Sequence, residues 1–402
     1  MNLRTIFILG ALSAFGPLAI DFYLPGFPAI ALAFGTDDKH VQLTLASYFL
    51  GLSIGQLAYG PVADRFGRRI PLLFGVGLFT LASLACAFAP SLEWLIGARF
   101  VQALGGCAGM VLSRAIVSDK CNPVESAKVF SQLMLVMGLA PILAPMLGGF
   151  MVNAYGWQAI FLALTIFSAL SSLAVALGLP ESMPADHPRQ PLSGAFGQYR
   201  RLMADHVFLG YALTGGIAIA GMFAYISGSP FVFIKLYGVA PEHYGWLFGT
   251  NAAGFIVTAQ VNARVVGRLG PAWVLSKAVW VYLAAALILL LIANLHTEQL
   301  WPLLVPLFIY IASLGCIIPN SSACAMTGQG QRAGSASALL GCLQFSVAAG
   351  AAALVGVLHD GTAVPMATVI TLCGVVAVGL SMLTRRLQKR RDALSVHIDV
   401  TL

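Results

Sequence analysis

The stretch GPVADRFGRR, residues 60–69, places one acidic and three basic side chains between two long apolar segments. These segments, 41–63 and 71–89, are each about 20 residues long, which as a helix is enough to cross a hydrocarbon core of roughly 30 Å. A short basic connection of this kind is typical of the loop between two membrane-spanning helices. The fold can therefore be predicted from how often the same pattern recurs along the chain.

The whole sequence is apolar enough for a membrane protein. Of its 402 residues, 59% are hydrophobic and 9% are charged, whereas charged residues make up roughly 25% of an ordinary soluble domain. Because lipid cannot satisfy backbone polar groups outside helices and closed barrels, and barrel-type alternation is absent, the spans are predicted to be helices. Twelve windows qualify: 4–33, 41–63, 71–89, 92–116, 127–151, 157–179, 206–234, 242–263, 271–293, 299–324, 333–357 and 363–384.

These windows predict an all-α polytopic membrane protein whose twelve helices form two six-helix bundles. A Pro-rich polar linker at 180–205 separates an N-terminal bundle at 1–179 from a C-terminal bundle with a short basic tail at 206–402. The loop after the second window of each half suggests a repeat, since GPVADRFGRRIP and NARVVGRLGP share a Gly-Arg pair and a following Pro. The first window is followed by no cleavage site, so we expect it to be retained.

The basic residues are spread over many loops on one side of the predicted spans. By the positive-inside bias, both termini are predicted to be cytoplasmic. This spread accounts for the net charge of +7 without a nucleic-acid-binding patch. The seven cysteines form no CxxC or Cys/His cluster, so we expect neither a metal nor another cofactor, and no catalytic cluster or phosphate loop indicates an enzyme.

Three stretches resemble motifs of the major facilitator superfamily. GPVADRFGRR resembles its loop motif Gly-x-x-x-Asp-Arg-x-Gly-Arg-Arg/Lys. RFVQALGG (99–106) is similar to Arg-x-x-Gln-Gly, with Ala103 in the last position. GLAPILAPMLGG (138–149) resembles the antiporter motif that ends Gly-Pro-x-x-Gly-Gly, with Ala144 in place of its first Gly. Together with IDFYLPGFPAI near the N-terminus, the first half resembles the bicyclomycin/chloramphenicol resistance (Bcr/CflA) branch of multidrug exporters.

This resemblance implies proton-driven export of small toxic compounds across the inner bacterial membrane by a transporter of the major facilitator fold. Its partners would be a small amphipathic molecule, protons and the lipid bilayer; no nucleic acid is expected, and we expect a monomer. The residues alone leave open an alternative, a proton-coupled uptake transporter for a small metabolite on the same fold.

A carboxylate, Asp21, interrupts the first apolar window. A charge at membrane depth costs at least ~2.5–3.5 kcal/mol, and such residues nearly always face a bundle interior, a partner or a water-filled cavity. Helix geometry places Asp21 roughly 24 Å along the first helix and Arg99 roughly 10 Å from the opposite entry of the fourth, so we expect the two to meet. The pair is interpreted as the proton-coupling site; a fixed structural pair, backbone capping by Asp21 and contact with substrate remain alternatives.

A second group of residues is predicted to support the conformational change. Arg114 would snorkel or pair with Asp64 or Asp119, and prolines and glycines in the fifth window would bend that helix and allow close packing. The full set is Gly60, Asp64, Arg65, Gly67, Arg68, Arg69, Arg114, Pro141, Pro145, Gly148 and Gly149.

Aromatic and polar side chains inside the windows are candidates for a drug-binding cavity, because drug-like ligands bury most of their surface against such walls. On the second helix Tyr48, Gln56 and Tyr59 are predicted to share one face. Each candidate alone is also compatible with a helix-to-helix hydrogen bond or core packing. The candidates are Tyr23, Tyr48, Gln56, Tyr59, Gln102, Phe223, Tyr225, Asn251, Asn320, Gln344 and Phe345.

Overall fold

The computed structural model describes residues 3–121, 143–183, 192–295, 297–327 and 333–401, with positions 129, 133, 140 and 329 between these ranges. Within them the regular structure is helical, with no strand, and ten spans are long and apolar enough to cross a membrane. The helices are α1 (Leu3–Ser13), α2 (Phe15–Asp21), α3 (Phe27–Ala33), α4 (Asp38–Phe66), α5 (Arg69–Ala87), α6 (Leu92–Lys120), α7 (described over 143–155), α8 (Gln158–Gly178), α9 (Leu192–Ala204), α10 (His206–Pro230), α11 (Pro241–Leu269), α12 (Pro271–Asn294), α13 (Trp301–Met326), α14 (Ala333–Val357) and α15 (Val364–Thr401).

The described helices confirm the prediction of an all-α polytopic membrane protein. Two predicted windows fall outside the ten apolar spans. The window at 242–263 coincides with α11, a helix of 29 residues whose polar side chains, among them Asn251 and Asn262, lower its hydropathy. Most of the window at 127–151 lies outside the described residues, and its last part coincides with α7.

The first predicted span is broken into pieces. After α1 and α2, a 3₁₀ turn at Leu24–Gly26 leads into α3. Prolines at positions 17, 25 and 28 account for the breaks, because proline cannot donate the backbone hydrogen bond that continues a helix. Asp21 is the last residue of α2, directly before this irregular turn.

The first helix of the second half also loses its regular geometry. After Pro230, α10 continues as a π-helical turn at Phe231–Leu236. Turns of this type inside helices are frequent at functional sites. The π turn contacts α3, and the 3₁₀ turn of the first span contacts both α10 and α11. We call the end of the molecule where these segments meet the outer end, after the predicted orientation of the chain.

Glycines allow the helices of the first half to pack closely. A Cβ on Gly105 of α6 would lie 2.4 Å from the backbone nitrogen of Phe79 on α5. A Cβ on Gly51 of α4 would lie 2.5 Å from the carbonyl oxygen of Phe100 on α6. Small residues at such crossings are typical of helix packing in membranes, where backbones approach each other directly.

The two halves are joined along α4 and α14. At mid-length, the hydroxyl groups of Ser53 and Ser346 are hydrogen-bonded at 2.6 Å, and the rings of Phe49 and Phe223 lie 4.1 Å apart. The other substantial contacts between the halves, as far as the structure describes the chain, involve α3, α7, α10, α11 and the two irregular turns at the outer end. The outer end is therefore closed in this conformation.

The motif loop between α4 and α5 is held by ion pairs within the first bundle. Gly67 has a φ of 86°, which favours glycine. Arg68 donates to Asp64 at 2.6 Å and to Asp119, near the end of α6, at 3.0 Å. Of the two roles expected for Arg114, pairing is wrong for the described residues: Asp64 and Asp119 are bound to Arg68, and Arg114 forms an ion pair with neither. Arg114 precedes Asp119 by five residues, so the two point about 140° apart around α6. Snorkelling of Arg114 stays a prediction.

Sequence reasoning missed the residue that anchors this loop, Glu181. Its carboxylate accepts hydrogen bonds from the backbone nitrogens of Arg68 at 2.9 Å and Arg69 at 3.1 Å, and from those of Ser182 and Met183. It thereby caps the start of α5, where backbone donors have no partner within the helix. Partial burial by itself raises the pKa of Glu181, but the four backbone donors outweigh it and hold the pKa below its usual value.

Close packing at Gly105 can be tested by adding a single methyl group. We expect Gly105→Ala to lower the thermal unfolding midpoint of the purified protein, because the new Cβ meets backbone and overpacking costs about 1–3 kcal/mol. Gly97→Ala on the same helix is the matched control, since nothing lies within 4 Å of its Cβ position. Equal midpoints for the two variants in detergent would show that the α5–α6 crossing tolerates the added atom.

The low pKa of Glu181 predicts a pH-dependent contribution to stability. A carboxyl whose pKa is lower in the folded than in the unfolded protein stabilises the fold above its unfolded pKa, about 4.3 for glutamate, and loses that effect as pH falls through the folded value. We therefore expect Glu181→Gln to lower the unfolding midpoint at neutral pH, and the difference from wild type to shrink on acidification. Glu298→Gln, at an exposed acid, should change neither; a pH-independent difference for Glu181→Gln would contradict this account.

Candidate functional site

Asp21 is buried at the boundary between the two halves. It is 5% exposed, and within the described part of the chain its carboxylate has no hydrogen-bond donor or cation in contact. The next residue, Phe22, packs its carbonyl oxygen against α7, where a Cβ on Gly148 would lie 2.2 Å away. Three residues after Asp21, the 3₁₀ turn at Leu24–Gly26 contacts α10 and α11 of the second half. The break in the first span thus presents this carboxylate to the other bundle.

The two helices of the second bundle that contact the turn after Asp21, α10 and α11, carry a cluster of hydroxyl groups and aromatic rings. Asn251 donates a hydrogen bond to the Tyr225 hydroxyl oxygen at 3.0 Å, and the Tyr244 hydroxyl is bonded to Ser229 at 2.7 Å. We call the set Tyr225, Ser229, Tyr244, Phe248 and Asn251 the tyrosine pocket.

Aromatic stacking holds the rings of the tyrosine pocket in place. The Phe248 ring lies 5.6 Å from the Tyr225 ring, nearly parallel to it, and 5.8 Å from the Tyr244 ring. Every member of the pocket is buried. Because α10 and α11 each contribute side chains, the pocket belongs to the second bundle, whereas Asp21 belongs to the first.

Arg99 is fully buried, at 0% exposure, and does not contact Asp21. One guanidinium nitrogen donates to the Ala19 carbonyl oxygen at 3.0 Å, and another donates to Gln102 at 2.5 Å. Ala19 lies in the last turn of α2, where carbonyl groups lack partners within the helix and the helix dipole favours a cation. Arg99 therefore caps the helix that ends at Asp21. The expected side-chain contact is absent because this cap holds the guanidinium on the backbone of α2.

Aromatic rings surround the rest of the Arg99 guanidinium. Its central carbon lies 4.2 Å from the Tyr48 ring centre, 4.6 Å from that of Tyr23 and 5.8 Å from that of Phe161. Such cation–π contacts stabilise a cation shielded from water by about 2 kcal/mol or more. Gln102, which accepts from Arg99, donates in turn to Ser83 at 2.8 Å.

The paired glycines at the end of the predicted antiporter motif join three segments. Gly148 faces the carbonyl of Phe22, as described above. A Cβ on Gly149 would lie 2.4 Å from the carbonyl oxygen of Pro241, at the start of α11 in the second bundle. Pro145 is buried in the same helix, whereas Pro141 lies outside the described residues. The α7 helix thus packs against the first-span break and the second bundle at once.

Two polar links between the bundles close the outer end. Lys235, in the π turn after α10, donates to Asp38 at the start of α4 at 2.8 Å, and Asp38 is 7% exposed. Asn153 of α7 donates to Glu242 of α11 at 2.7 Å. The sequence predicted neither of these two links. Their pairing was not predictable because it links positions about 200 and 90 residues apart, and pairing at that separation depends on how the bundles dock.

The cavity candidates of the first bundle occupy different surroundings. Tyr48 stacks on Arg99, and the Tyr59 hydroxyl lies 2.8 Å from the Cβ position of Gly75 on α5, so both point into the first bundle. Gln56 packs against Gly341 of α14, between the bundles. The three do not share one face, because α4 lies between α6 on one side and α14 on the other. The Tyr23 hydroxyl is bonded to Thr44 at 2.7 Å.

The cavity candidates of the second bundle fall into two groups. Phe223 and Phe345 form an aromatic cluster with Phe49 of the first bundle, at ring distances of 4.1–6.5 Å. Gln344 lies beside them against Gly216 of α10. Asn320, by contrast, donates to Asn262 at 2.6 Å, a link between α13 and α11 within the bundle.

The described residues contain no group of three His, Cys, Asp or Glu side chains placed to hold a metal ion. An apolar groove between α12 and α13, lined by residues such as Val281 and Ile309, lies on the side of the bundle and holds no polar side chain. The candidate site is thus defined by Asp21, the capping Arg99 and the tyrosine pocket.

Comparison with known proteins agrees with this architecture. Residues 7–353 match the model of the Major Facilitator Superfamily. The chain is 41% identical to the MFS-type transporter YdgK of Bacillus subtilis over 93% of this chain and 94% of that protein. It is 32% identical to a bicyclomycin resistance protein homolog of Haemophilus influenzae, with the same coverage, and 29% identical to a chloramphenicol resistance protein of Pseudomonas aeruginosa over 95% of this chain and 90% of that protein.

A solved structure shares the fold. A bacterial homolog of the human lysosomal transporter Spinster, in an inward-facing and unoccupied conformation, matches with a TM-score of 0.70 and 16% identity over 96% of this chain and 98% of that one. The helices, the motif loop and the relatives agree with one another. This chain belongs to the Major Facilitator Superfamily, within its Bcr/CflA drug efflux branch, and is a multi-pass protein of the bacterial inner membrane.

Proposed function

We propose that the protein is a proton-coupled antiporter that exports small amphipathic toxic compounds, such as bicyclomycin-like or chloramphenicol-like molecules, by alternating access. The names of its relatives support the substrate class, since proteins similar over most of the chain are named for resistance to these compounds. Family membership supports transport as such. Proton coupling is supported by the position of a single carboxylate.

The proposal of proton coupling rests on Asp21. It is an acidic side chain buried without a partner where the first span breaks, at the boundary between two bundles that move relative to each other in this fold. The other acid buried near this boundary, Asp38, is bound to Lys235. A carboxylate whose surroundings change when the bundles rock can take up a proton in one state and release it in the other.

With the termini in the cytoplasm, the cycle runs as follows. In the conformation described here the outer end is closed by contacts of the 3₁₀ turn, the π turn and α7. Substrate loads from the cytoplasm, the bundles rock, and the outer end opens to release it. Asp21 then takes up a proton from the outside, and it releases that proton to the cytoplasm once the outer end has closed again.

Arg99 acts on this cycle through the backbone. Its guanidinium is bound to the Ala19 carbonyl, two residues before Asp21, and to Gln102 of its own helix. We assign it the role of holding the end of α2, so that the carboxylate keeps its place when the proton leaves. Its charge also contributes a fixed positive potential to the interior of the first bundle.

The charge of the site indicates which substrates the protein would carry. Asp21 is the unpaired buried acid of the described interface, and the tyrosine pocket and the Phe49–Phe223–Phe345 cluster contribute neutral aromatic surface. A cavity of this kind holds amphipathic molecules by apolar contact with few polar groups. We therefore expect neutral and zwitterionic compounds to be carried at least as well as cations, and no preference for dications.

Loss of the carboxylate should uncouple transport from protons. In inverted membrane vesicles with a fluorescent probe of the pH gradient, we expect chloramphenicol or bicyclomycin to dissipate the gradient with wild type and to have no effect with Asp21→Asn at equal abundance. Glu298→Gln, which removes an exposed acid, is the matched control and should behave as wild type. An unchanged response of Asp21→Asn would show that the coupling site lies at another residue. If wild type responds to none of the compounds, uptake is favoured over export.

Arg99→Lys tests the capping role without removing the charge. Lysine cannot reproduce the planar set of guanidinium donors, so one or two charged hydrogen bonds, each worth about 1.5–3 kcal/mol, are lost. We expect a lower unfolding midpoint and slower substrate-driven proton flux, compared with Arg200→Lys, an exposed control on α9. Unchanged flux and stability in Arg99→Lys would mean that a positive charge alone suffices.

A further inference from the structure

We propose that the groove between α12 and α13 binds an acyl chain of an anionic phospholipid whose phosphate headgroup is held by Lys277. These residues take no part in the proposed transport cycle, so lipid binding can hold or fail independently of proton coupling. The ligand is a component of the bilayer rather than a transported compound.

The groove lies between two membrane spans on the side of the second bundle. Its volume is about 260 Å³, and its walls are aliphatic. Because no polar side chain lines it, a polar occupant at this depth would find no hydrogen-bond partner, and a hydrocarbon chain is the occupant that fits. The walls are formed by Val281, Ala284 and Ile288 of α12 and by Val305, Pro306 and Ile309 of α13.

Lys277 is the only charged residue of α12, and α13 has none. We call the end of the molecule opposite the outer end the inner end. The α11 helix begins at the outer end and leads to the inner end, where α12 starts at Pro271, so Lys277 lies roughly 9 Å along α12 from that end. It is exposed and forms no ion pair with the described residues. A lysine at this depth extends its stem along the helix and places its ammonium among the lipid headgroups.

The lysine and the groove share one face of α12. Lys277, Val281, Ala284 and Ile288 are spaced four, three and four residues apart, which is the spacing of one helical face. Val281 therefore lies one turn from Lys277, and Ile288 lies roughly 17 Å from it along the helix axis. A lipid whose headgroup is bound at Lys277 has its acyl chains directed along the groove.

The surroundings of Lys277 suit an anionic headgroup. Trp273 lies one turn before it and is exposed, and the Lys277 ammonium is 5.9 Å from the centre of a Trp273 ring. Tryptophan is enriched at the level of lipid headgroups. Two more exposed basic residues, Arg264 and Arg268, lie in the last two turns of α11, directly before the connection to α12.

No acid in this part of the sequence offsets those positive charges. The chain has no aspartate or glutamate between Glu242 and Glu298, a stretch that contains the end of α11 and all of α12. Basic residues at the headgroup level attract anionic lipids, by a factor of about five for each lysine. A cation at the interface and a hydrocarbon groove one turn deeper therefore match the two parts of a single anionic phospholipid.

Photoreactive lipids test the site where it lies. The full-length protein in phosphatidylcholine nanodiscs receives a trace of phosphatidylglycerol or phosphatidylcholine with a diazirine in the same acyl chain, and labelled residues are mapped by mass spectrometry. We expect phosphatidylglycerol to label the walls at 281–288 and 305–309 about fivefold more than phosphatidylcholine does. Lys277→Gln should bring this ratio to about one, and Lys277→Arg should keep it. Lys39→Gln, at an exposed lysine of the outer end, is the control and should leave the ratio unchanged.

Filling the groove tests the acyl chain separately from the headgroup. We expect Ala284→Phe to lower the labelling of both walls by either lipid, because the ring takes the place of the chain. Ala169→Phe, at an exposed alanine of α8, is the matched control and should be labelled as wild type is. Equal labelling by the two lipids in wild type, or an unchanged ratio in Lys277→Gln, would reveal an unselective lipid annulus and overturn the proposal. Undiminished labelling in Ala284→Phe would overturn it as well, since the chain would then lie outside the groove.

Discussion

The break in the first membrane span can exist only because protein encloses it. Backbone polar groups exposed to lipid have no hydrogen-bond partner, so irregular backbone at membrane depth must be buried. The 3₁₀ turn at Leu24–Gly26 is buried throughout. Arg99 satisfies a carbonyl at the end of α2, α7 packs glycine against the carbonyl of Phe22, and the second bundle covers the turn itself. The groups that enclose the break are therefore also those that surround Asp21.

This enclosure explains why a fully buried arginine lies close to a buried acid without pairing with it. An ion pair between Asp21 and Arg99 would neutralise both groups and fix the carboxylate in its charged form. The cap on Ala19 and the aromatic rings of Tyr23 and Tyr48 instead stabilise the guanidinium independently of Asp21. The carboxylate is thus left without a bound cation among the described residues, as the proposed coupling requires, and the arginine satisfies the backbone where the helix ends.

The sequence predicted those features that depend on composition and local spacing. Apolar windows identified the spans, the motif at 60–69 identified the loop that Arg68 ties to Asp64 and Asp119, and the position of Asp21 marked the first helix. The direction in which each side chain points could not be predicted from the sequence. Depth estimates placed Asp21 and Arg99 at one level, but the break after α2 decides which way each points. The links of Asp38 to Lys235 and of Glu181 to the loop join distant segments, so only the docked helices reveal them.

Geometry at the outer end ties the position of the bundles to the state of Asp21. Gly148 touches the residue after Asp21, and Gly149, its neighbour, touches the start of α11, the helix that carries Tyr244 and Asn251. A larger side chain at either position would push α7 away from the backbone after Asp21 or from the start of α11. Because both contacts are to backbone, they admit little adjustment short of moving whole helices. The closed outer end and the contact of the first-span break with the second bundle therefore occur together, which is what the proposed coupling of a proton to a rocking motion requires.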